Sequence, residues 1–320
     1  MIKIRASVPS DFDKLEELLK DNPLTETFHA TTLHKIACSI QFLIPHNFRF
    51  FPSIHVAVEG KNILGFVILR CASKENNSWQ INEVYVTDEM RNKGVGEELI
   101  RYVLSVYGGY GIEHFLAEID SQNFPALSLF HQCGFRRYAR YCFYEKEIDV
   151  ETLHATSLPE NEFILRQQLP GDLSEIEKLG LASIPADLRP ALGRSKEYFS
   201  QKKDAKVLVD KSRNLIIGWA HIQKLSGDHC FIELLTSPGW THLYEQFLNT
   251  IVCDCTSFQN NNFKLTVKVF DYITELTQIL TKSGFLAAKI NELLVRTIWQ
   301  KVKERKLKTA RVGVPRAAPT

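Results

Sequence analysis

Apolar and polar residues alternate with period two in several short segments, and between those segments apolar residues recur at helical spacing. Ile2, Ile4 and Ala6 alternate with Lys3 and Arg5, which predicts a first strand. Pro9-Ser10-Asp11 offers a helix start, with Phe12, Leu15, Leu18 and Leu19 on one face and Asn22-Pro23 as its stop. Leu33, Ile36, Ala37 and Ile40 predict another helix, and an aromatic-rich connection runs from Phe42 to Pro52. Ile54 to Val58 and Leu64 to Leu69 read as a hairpin that turns at Glu59-Gly60-Lys61-Asn62.

The pattern concentrates at residues 81–96. Glu83 and Tyr85 alternate with Val84 and Val86, a strand rich in β-branched residues. Arg91-x-x-Gly94-x-Gly96 follows, and Glu97 and Glu98 then open a helix with Leu99, Ile100, Val103 and Leu104 on one face. Acidic residues suit the positive end of a helix dipole. Two glycines let the backbone turn tightly. The first N–H groups of a helix have no intrahelical acceptor, so such a turn makes an anion site suited to phosphate. Arg91 and Lys93 add positive charge beside it. Alone, a short glycine pattern says little.

Downstream, Gly108-Gly109-Tyr110-Gly111 predicts a break and Phe115 to Ile119 a strand. Asn123 to Cys133 reads as a helix, with Pro125 in its first turn and Gly134 as its C-terminal cap. Tyr138, Tyr141, Phe143 and Tyr144 fall in closing strands. Residues 151–160, polar with Pro159, read as a linker.

Beyond that linker the pattern returns. Phe163-Ile164-Leu165-Arg166 and Pro170-Gly171-Asp172 repeat Ile2-Lys3-Ile4-Arg5 and Pro9-Ser10-Asp11. Val207 to Asp210 and Ile216 to Ala220 repeat the hairpin, and Lys282-Ser283-Gly284-Phe285 repeats Gln132-Cys133-Gly134-Phe135. This is a domain-sized duplication. It predicts domains at 1–150 and 161–302 and a basic tail at 303–320, where Pro315 and Pro319 oppose regular structure. The second copy departs at the glycine turn. Phe231-Ile232-Glu233-Leu234-Leu235 is followed by Thr236-Ser237-Pro238-Gly239-Trp240, with no Arg-x-x-Gly-x-Gly. Pro238 removes a donor and Trp240 adds bulk, so the second copy is not expected to hold the same ligand in the same way.

Composition narrows the class. A chain of 320 residues with 44% hydrophobic and 24% charged residues is long enough for two globular domains. A formal charge of +2 is too near balance to point to a nucleic-acid partner. No apolar run is long enough to span a bilayer, and the N-terminus lacks the core of a signal peptide. Seven scattered cysteines, with Cys253-x-Cys255 as their one close spacing, read as reduced thiols in a cytoplasmic protein, with no metal site.

The block from Ile81 to Gly96 resembles the acetyl-CoA signature of the GNAT superfamily of N-acetyltransferases. Leu116 to Asn123, Ala126 and Leu129 to Phe135 resemble that family's next strand, helix and turn, in the family's order and spacing. The fold implied is α/β (α+β), as two tandem GNAT-like domains, each a mixed, mostly antiparallel sheet flanked by helices. The activity implied is direct transfer of an acetyl group from acetyl-CoA, as co-substrate, to a primary amine of a small molecule, peptide or protein. By the same resemblance, Asn92, Lys93, Gly94, Val95 and Gly96 offer backbone N–H groups to a pyrophosphate beside Arg91. The Val84, Tyr85 and Val86 backbone pairs with pantetheine, and Asn123 bonds the cofactor. On its own, Asn123 is a good helix N-cap.

An amine is mostly protonated at neutral pH, so a base is useful. Glu83 and Glu118 are the candidates, with Glu118 preferred because Glu118-Ile119-Asp120-Ser121-Gln122-Asn123 tracks the ribosomal-protein alanine acetyltransferases. Either is equally readable as an exposed strand carboxylate in an ion pair. Phe130 stands where many members carry a tyrosine that protonates the leaving thiolate. Tyr85, Tyr138, Tyr141 or water is left for that role. The alternative reading is a non-catalytic acyl-CoA-binding or protein-interaction module.

Overall fold

The computed structural model describes residues 2–20, 53–73, 77–149, 162–202, 204–225, 228–256 and 262–298. The helix expected near residues 33–40, the aromatic connection to Pro52, the linker at 151–160 and the basic tail at 303–320 lie outside these residues.

The first half supplies strands β1 (Lys3–Ala6), β2 (Ser53–Glu59), β3 (Asn62–Ser73), β4 (Ser78–Val86), β5 (His114–Asp120) and β6 (Arg136–Ile148). The second supplies β7 (Phe163–Gln167), β8 (Lys206–Asp210), β9 (Leu215–Lys224), β10 (His229–Thr236), β11 (Phe263–Phe270) and β12 (Leu286–Thr297). Helices α1 (Phe12–Lys20), α2 (Val95–Gly109) and α3 (Phe124–Gln132) belong to the first half. Helices α4 (Leu173–Ala182), α5 (Arg189–Leu192), α6 (Lys196–Ser200), α7 (Tyr244–Thr256) and α8 (Thr274–Lys282) belong to the second. All twelve strands join one sheet, in the order β1-β2-β3-β4-β5-β12-β6-β11-β10-β9-β8-β7. Among the described pairs, β4·β5 and β10·β11 run parallel and the rest antiparallel. The architecture is thus the mixed, mostly antiparallel α/β one expected.

The duplication is visible in side-chain geometry. Arg5 grips Asp11 through two hydrogen bonds of 2.6 and 3.0 Å, and Asp11 accepts the Val8 N–H at 2.8 Å. Arg166 grips Asp172 at 2.6 and 2.9 Å, and Asp172 accepts the Leu169 N–H at 2.8 Å. The same fork closes the same turn twice. Gly65 and Gly218 repeat for a reason as well. A Cβ at Gly65 would meet the Tyr85 carbonyl at 2.6 Å, and one at Gly218 would meet the Phe247 ring at 2.8 Å.

The last strand of each half pairs with the other half. β12 lies between β5 and β6, and β6 lies between β12 and β11. The β6·β12 ladder is symmetric about the pair Tyr141↔Asn291. Arg140 faces Glu292 on one side and Cys142 faces Ile290 on the other. The offset that carries Gly134 onto Gly284 carries Tyr141 onto Asn291 and Arg140 onto Ile290. It likewise carries the Glu118↔Leu293 pairing of β5·β12 onto the Lys268↔Phe143 pairing of β6·β11. A pseudo-two-fold axis therefore passes between Tyr141 and Asn291.

Each half has its own core. In the first, α2 lays Leu99, Ile100, Val103 and Tyr107 against Leu69, Trp79, Ile81, Phe115 and Ala117. In the second, Phe247, Leu248 and Ile251 of α7 meet Leu208, Ile217, Ile232 and Leu265. Removing one such fully buried aromatic side chain costs about 3–5 kcal/mol. The break expected at Gly108-Gly109-Tyr110-Gly111 falls in the second half of that segment: α2 continues through Gly109, and Gly111 takes φ +96°. Gly108 is small for packing, since a Cβ there would meet Ile298 Cδ1 at 3.1 Å. Among the described residues no helix is long and apolar enough to cross a membrane.

Candidate active site

The fork between β4 and β5 is the geometric centre of the first half. The two strands pair in parallel from Ser78↔His114 to Ile81↔Ala117 and part beyond that point, although β4 continues to Val86 and β5 to Asp120. The edge of Val84–Val86 that would face β5 is therefore left unpaired by it. A cleft of about 1080 Å3 opens there. It is lined by Val84, Tyr85 and Val86 on one side, by Arg91, Asn92, Gly94, Val95 and Gly96 at the turn, and by Asn123, Ala126 and Leu129 of the α3 region. Of the residues that the sequence assigned to the cofactor, Lys93 alone lies outside this lining, exposed on the same turn.

The turn has the backbone its glycines allow. Asn92 has φ +60° and Gly94 φ +83°, both left-handed. No atom beyond its chain neighbours lies within 4 Å of a Cβ built on Gly94, so the surface there is open backbone. The first rung of α2 is the Glu98 N–H to the Gly94 carbonyl, at 3.0 Å. The N–H groups of Val95, Gly96 and Glu97 precede that rung and point out of the helix start. Gly96 serves packing, since its Cβ would meet Leu129 Cδ2 at 3.1 Å. Arg91 pairs with Asp88 at 2.7 Å, but both are largely exposed, so the pair is weak and an anion can draw the guanidinium away. Asn123 caps α3 by accepting the Ala126 N–H at 3.2 Å while also lining the cleft.

A register shift between Ile68/Glu83 and Leu69/Ile81 places a bulge at Asn82. Ile81 points into the α2 core, whereas Glu83 and Tyr85 pair with Ile68 and Phe66 of the α1 core on the opposite face. Glu118 stands between Ala117 and Ile119, both in the α2 core, so it too faces away from α2. The bulge thus puts the two candidate carboxylates on one face, either side of the fork.

Glu118 is a third exposed and has partners from two strands, β6 and β11. The Tyr141 hydroxyl donates to it, Asn291 Nδ2 donates to the Tyr141 oxygen at 3.0 Å, and Lys268 Nζ lies 3.5 Å from Glu118 Oε1. Lys268 also sits 3.7 Å above the Tyr141 ring. Burial pushes the Tyr141 phenol far up, and the Glu118 charge pushes it further. Burial pulls the Lys268 ammonium down, against the attraction of Glu118. Sequence reasoning missed Lys268 and Asn291. The shared offset from Gly134 to Gly284 would have found them, as the repeat partners of Glu118 and Tyr141. Phe130 is buried against Phe135 and offers no proton. Tyr85 stacks on Phe66 and lines the cleft.

The turn of the second half is built otherwise. Pro238 to Leu243 form a 3-10 turn, and Trp240 packs edge-on to Phe163 with the Arg213 guanidinium over its face. Tyr244, the repeat partner of Gly94, is buried at the start of α7.

Residues 13–135 match the acetyltransferase (GNAT) family model. A GCN5-related N-acetyltransferase from Sphaerobacter thermophilus aligns with 94% of this chain and 97% of its own, at 14% identity and TM-score 0.62. A tandem GNAT protein from the clavulanic acid biosynthesis pathway aligns with 94% of this chain and all of its own, at 9% identity and TM-score 0.61. A glucosamine N-acetyltransferase region of a fungal multi-domain β-N-acetylglucosaminidase covers 92% of this chain and 38% of that one, at 11% identity and TM-score 0.65. No curated protein matches the chain in sequence. Residues 13–135 thus match the GNAT acetyltransferase family as a domain, and over 94% of its length the chain shares its fold with a GCN5-related N-acetyltransferase and a tandem GNAT protein.

Proposed function

We propose that this protein is an N-acetyltransferase that moves an acetyl group from acetyl-CoA to a primary amine by direct transfer. The observation that carries this reading is the cleft at the β4–β5 fork, where open backbone amides and a free strand edge converge; Glu83 and Glu118 are outside its lining, on the strands either side of the same fork. In this reading the amides of residues 92–96 hold the pyrophosphate, Arg91 adds charge, and the Val84–Val86 edge and Asn123 hold the pantetheine arm. The co-substrate supplies an activated acyl carbon. Glu118, ahead of Glu83, takes the proton that the acceptor ammonium gives up, directly or through water. The nitrogen–carbon bond then forms as the carbon–sulfur bond breaks. Tyr141 already donates to Glu118, so water is assigned as the proton source for sulfur.

Residues 1–150 are the catalytic half in this reading and residues 161–302 a degenerate half, with 151–160 joining them and 303–320 as a tail. The second half also walls the acceptor side, since Ile184, Leu188 and Leu192 pack on Leu116 of β5. The described cysteines are all free, in keeping with a cytoplasmic setting. The test is a panel of amines with acetyl-CoA, followed by thiol release and by the mass of the product. Amine-dependent thiol release that falls at least about a hundredfold in Glu118→Gln or Glu83→Gln supports the reading; a hundredfold is about what loss of one base costs at the low end. Saturable cofactor binding with no product from any amine favours the non-catalytic alternative, for which buried Phe130 speaks.

A further inference from the structure

A second, smaller cavity of about 50 Å3 lies in the second half, among Arg194, Glu233, Lys268, Ser183, Ile184 and Phe270. Its polar wall has donors to spare. Arg194 Nη2 pairs with Glu233, and the Arg194 guanidinium stacks 4.7 Å from the centre of the Tyr198 ring. Arg194 Nη1 is buried and has no hydrogen-bond partner among the described residues. Both oxygens of Glu233 already have a donor, because Tyr198 also donates to it at 2.5 Å. Lys268 carries three N–H groups, and its charged partner Glu118 stands 3.5 Å away. A buried donor without an acceptor is costly, so this wall is built for an acceptor that the described residues do not provide.

Resting on the amine-acetylating reading above, we propose that this cavity binds a carboxylate, and that the acceptor is an amine that also bears one. Two convergent cationic donors match the two oxygens of a carboxylate. The volume admits a few heavy atoms, given that one water needs roughly 10–15 Å3. Charge selects a monoanion. Arg194 and Lys268 are balanced by Glu233 and Glu118, so a carboxylate adds one uncompensated negative charge to the site and a dianionic phosphate two, which is the costlier burial. Ile184 and Phe270 keep the cavity partly apolar, which strengthens each charged contact. Lys268 links this cavity to the catalytic face: a carboxylate held by it and by Arg194 leaves the amine of the same molecule beside Glu118. The second half would then read the acceptor while the first half holds the donor.

Two measurements test this. Isothermal titration of acetate into the full chain, without acetyl-CoA, is expected to show saturable binding. That binding should vanish in the paired variant Arg194→Gln with Glu233→Gln, which leaves no buried unpaired charge, and separately in Lys268→Gln. No saturable binding in the wild-type protein, the result expected of a water-filled cavity only, overturns the proposal. In the transfer assay, glycine, β-alanine and 4-aminobutanoate are compared with their methyl esters and amides. At least one free acid is expected to have a KM lower by about tenfold or more, the scale of one charge-assisted hydrogen bond. That advantage should be lost in Lys268→Gln. Equal KM values with transfer intact overturn the carboxylate site and leave the acetyltransferase reading standing. Transfer to no amine at all overturns that reading and, with it, the assignment of the ligand as acceptor, even where acetate binds.

Discussion

Lys268 and Glu118 occupy the same position in the two repeats, and their side chains meet 3.5 Å apart beside the pseudo-two-fold axis. Positions related by a two-fold axis and close to it face their own copies, so in a symmetric dimer the contact would join two like charges. A single chain escapes this by letting the copies diverge, one to glutamate and one to lysine. The expected consequence concerns Lys268→Glu. It should lower stability by about 1–3 kcal/mol, the range for a broken hydrogen-bonded charge contact at a partly buried site. Two facing carboxylates hold a proton to higher pH than separate ones. The deficit should therefore be small below about pH 4, where both are protonated, and grow as pH rises toward neutrality. Denaturant melts of both proteins from pH 4 to pH 8 check this; a deficit that does not change with pH refutes it.

Strand exchange makes a second prediction. Residues 1–150 alone would leave β5 without β12 and β6 without either of its neighbours. An unpaired edge of that length, with Leu116 and Ile119 on it, invites aggregation. The isolated half should be insoluble or should lack dispersed amide resonances, and co-expression with residues 161–320 should recover a soluble, folded pair. A well-dispersed spectrum from residues 1–150 alone would contradict the exchange.

Local elements were legible because local rules dictate them. Asp11 and Asp172 close their turns, Gly134 takes its left-handed cap at φ +83°, and Gly94 opens the signature helix. Within the expected break at Gly108–Gly111, Gly108 proves to be a packing glycine inside the helix, which the sequence hid because its partner, Ile298, is remote. The environment of Glu118 was hidden for the same reason. Period-two patterning says which face a side chain takes, but not that β12 separates β5 from β6, nor that Lys268 reaches across both. The bulge at Asn82 was likewise silent in the sequence, yet it decides that Glu83 shares a face with Glu118.

Gly94 and Gly65 should separate backbone conformation from packing. A Cβ at Gly94 meets nothing within 4 Å, so Gly94→Ala pays only for its φ of +83°, about 1–2 kcal/mol. Relaxing the turn to avoid that strain misaligns the helix-start amides, and CoA binding should weaken by about 5- to 30-fold for the same free energy. Gly65→Ala drives a methyl group against the Tyr85 carbonyl, at 2.6 Å, and should deform the Tyr85–Val86 edge itself. Its loss should appear in both melting temperature and CoA affinity. Calorimetry of CoA binding to the two variants decides; unchanged affinity in Gly94→Ala would remove the turn from the binding site.

The paired Arg–Asp forks should set part of the acid limb of stability. Arg166 holds the Asp172 carboxyl below the usual carboxylate range, assisted by the Leu169 N–H and opposed by burial. At Asp11 burial is the largest influence and acts upward, but the hydrogen bonds from Arg5 and Val8 and the charges of Arg5 and Lys14 together outweigh it, and the net shift is again down. A carboxylate whose folded pKa is depressed adds stability that is fully present above its unfolded pKa, near 3.9, and is lost as pH falls through the folded value. Asp172→Asn keeps the size of the side chain but loses the charge. The wild type should therefore exceed Asp172→Asn in unfolding free energy by about 1–3 kcal/mol at pH 6, the range for charge-assisted hydrogen bonds. That margin should shrink steadily below pH 4. Urea melts at pH 6, 4, 3 and 2.5 measure the margin directly, and the same series on Asp11→Asn should show the same trend at the other copy of the turn. A margin that persists undiminished at pH 2.5 would mean that packing, and not charge, holds the two turns closed.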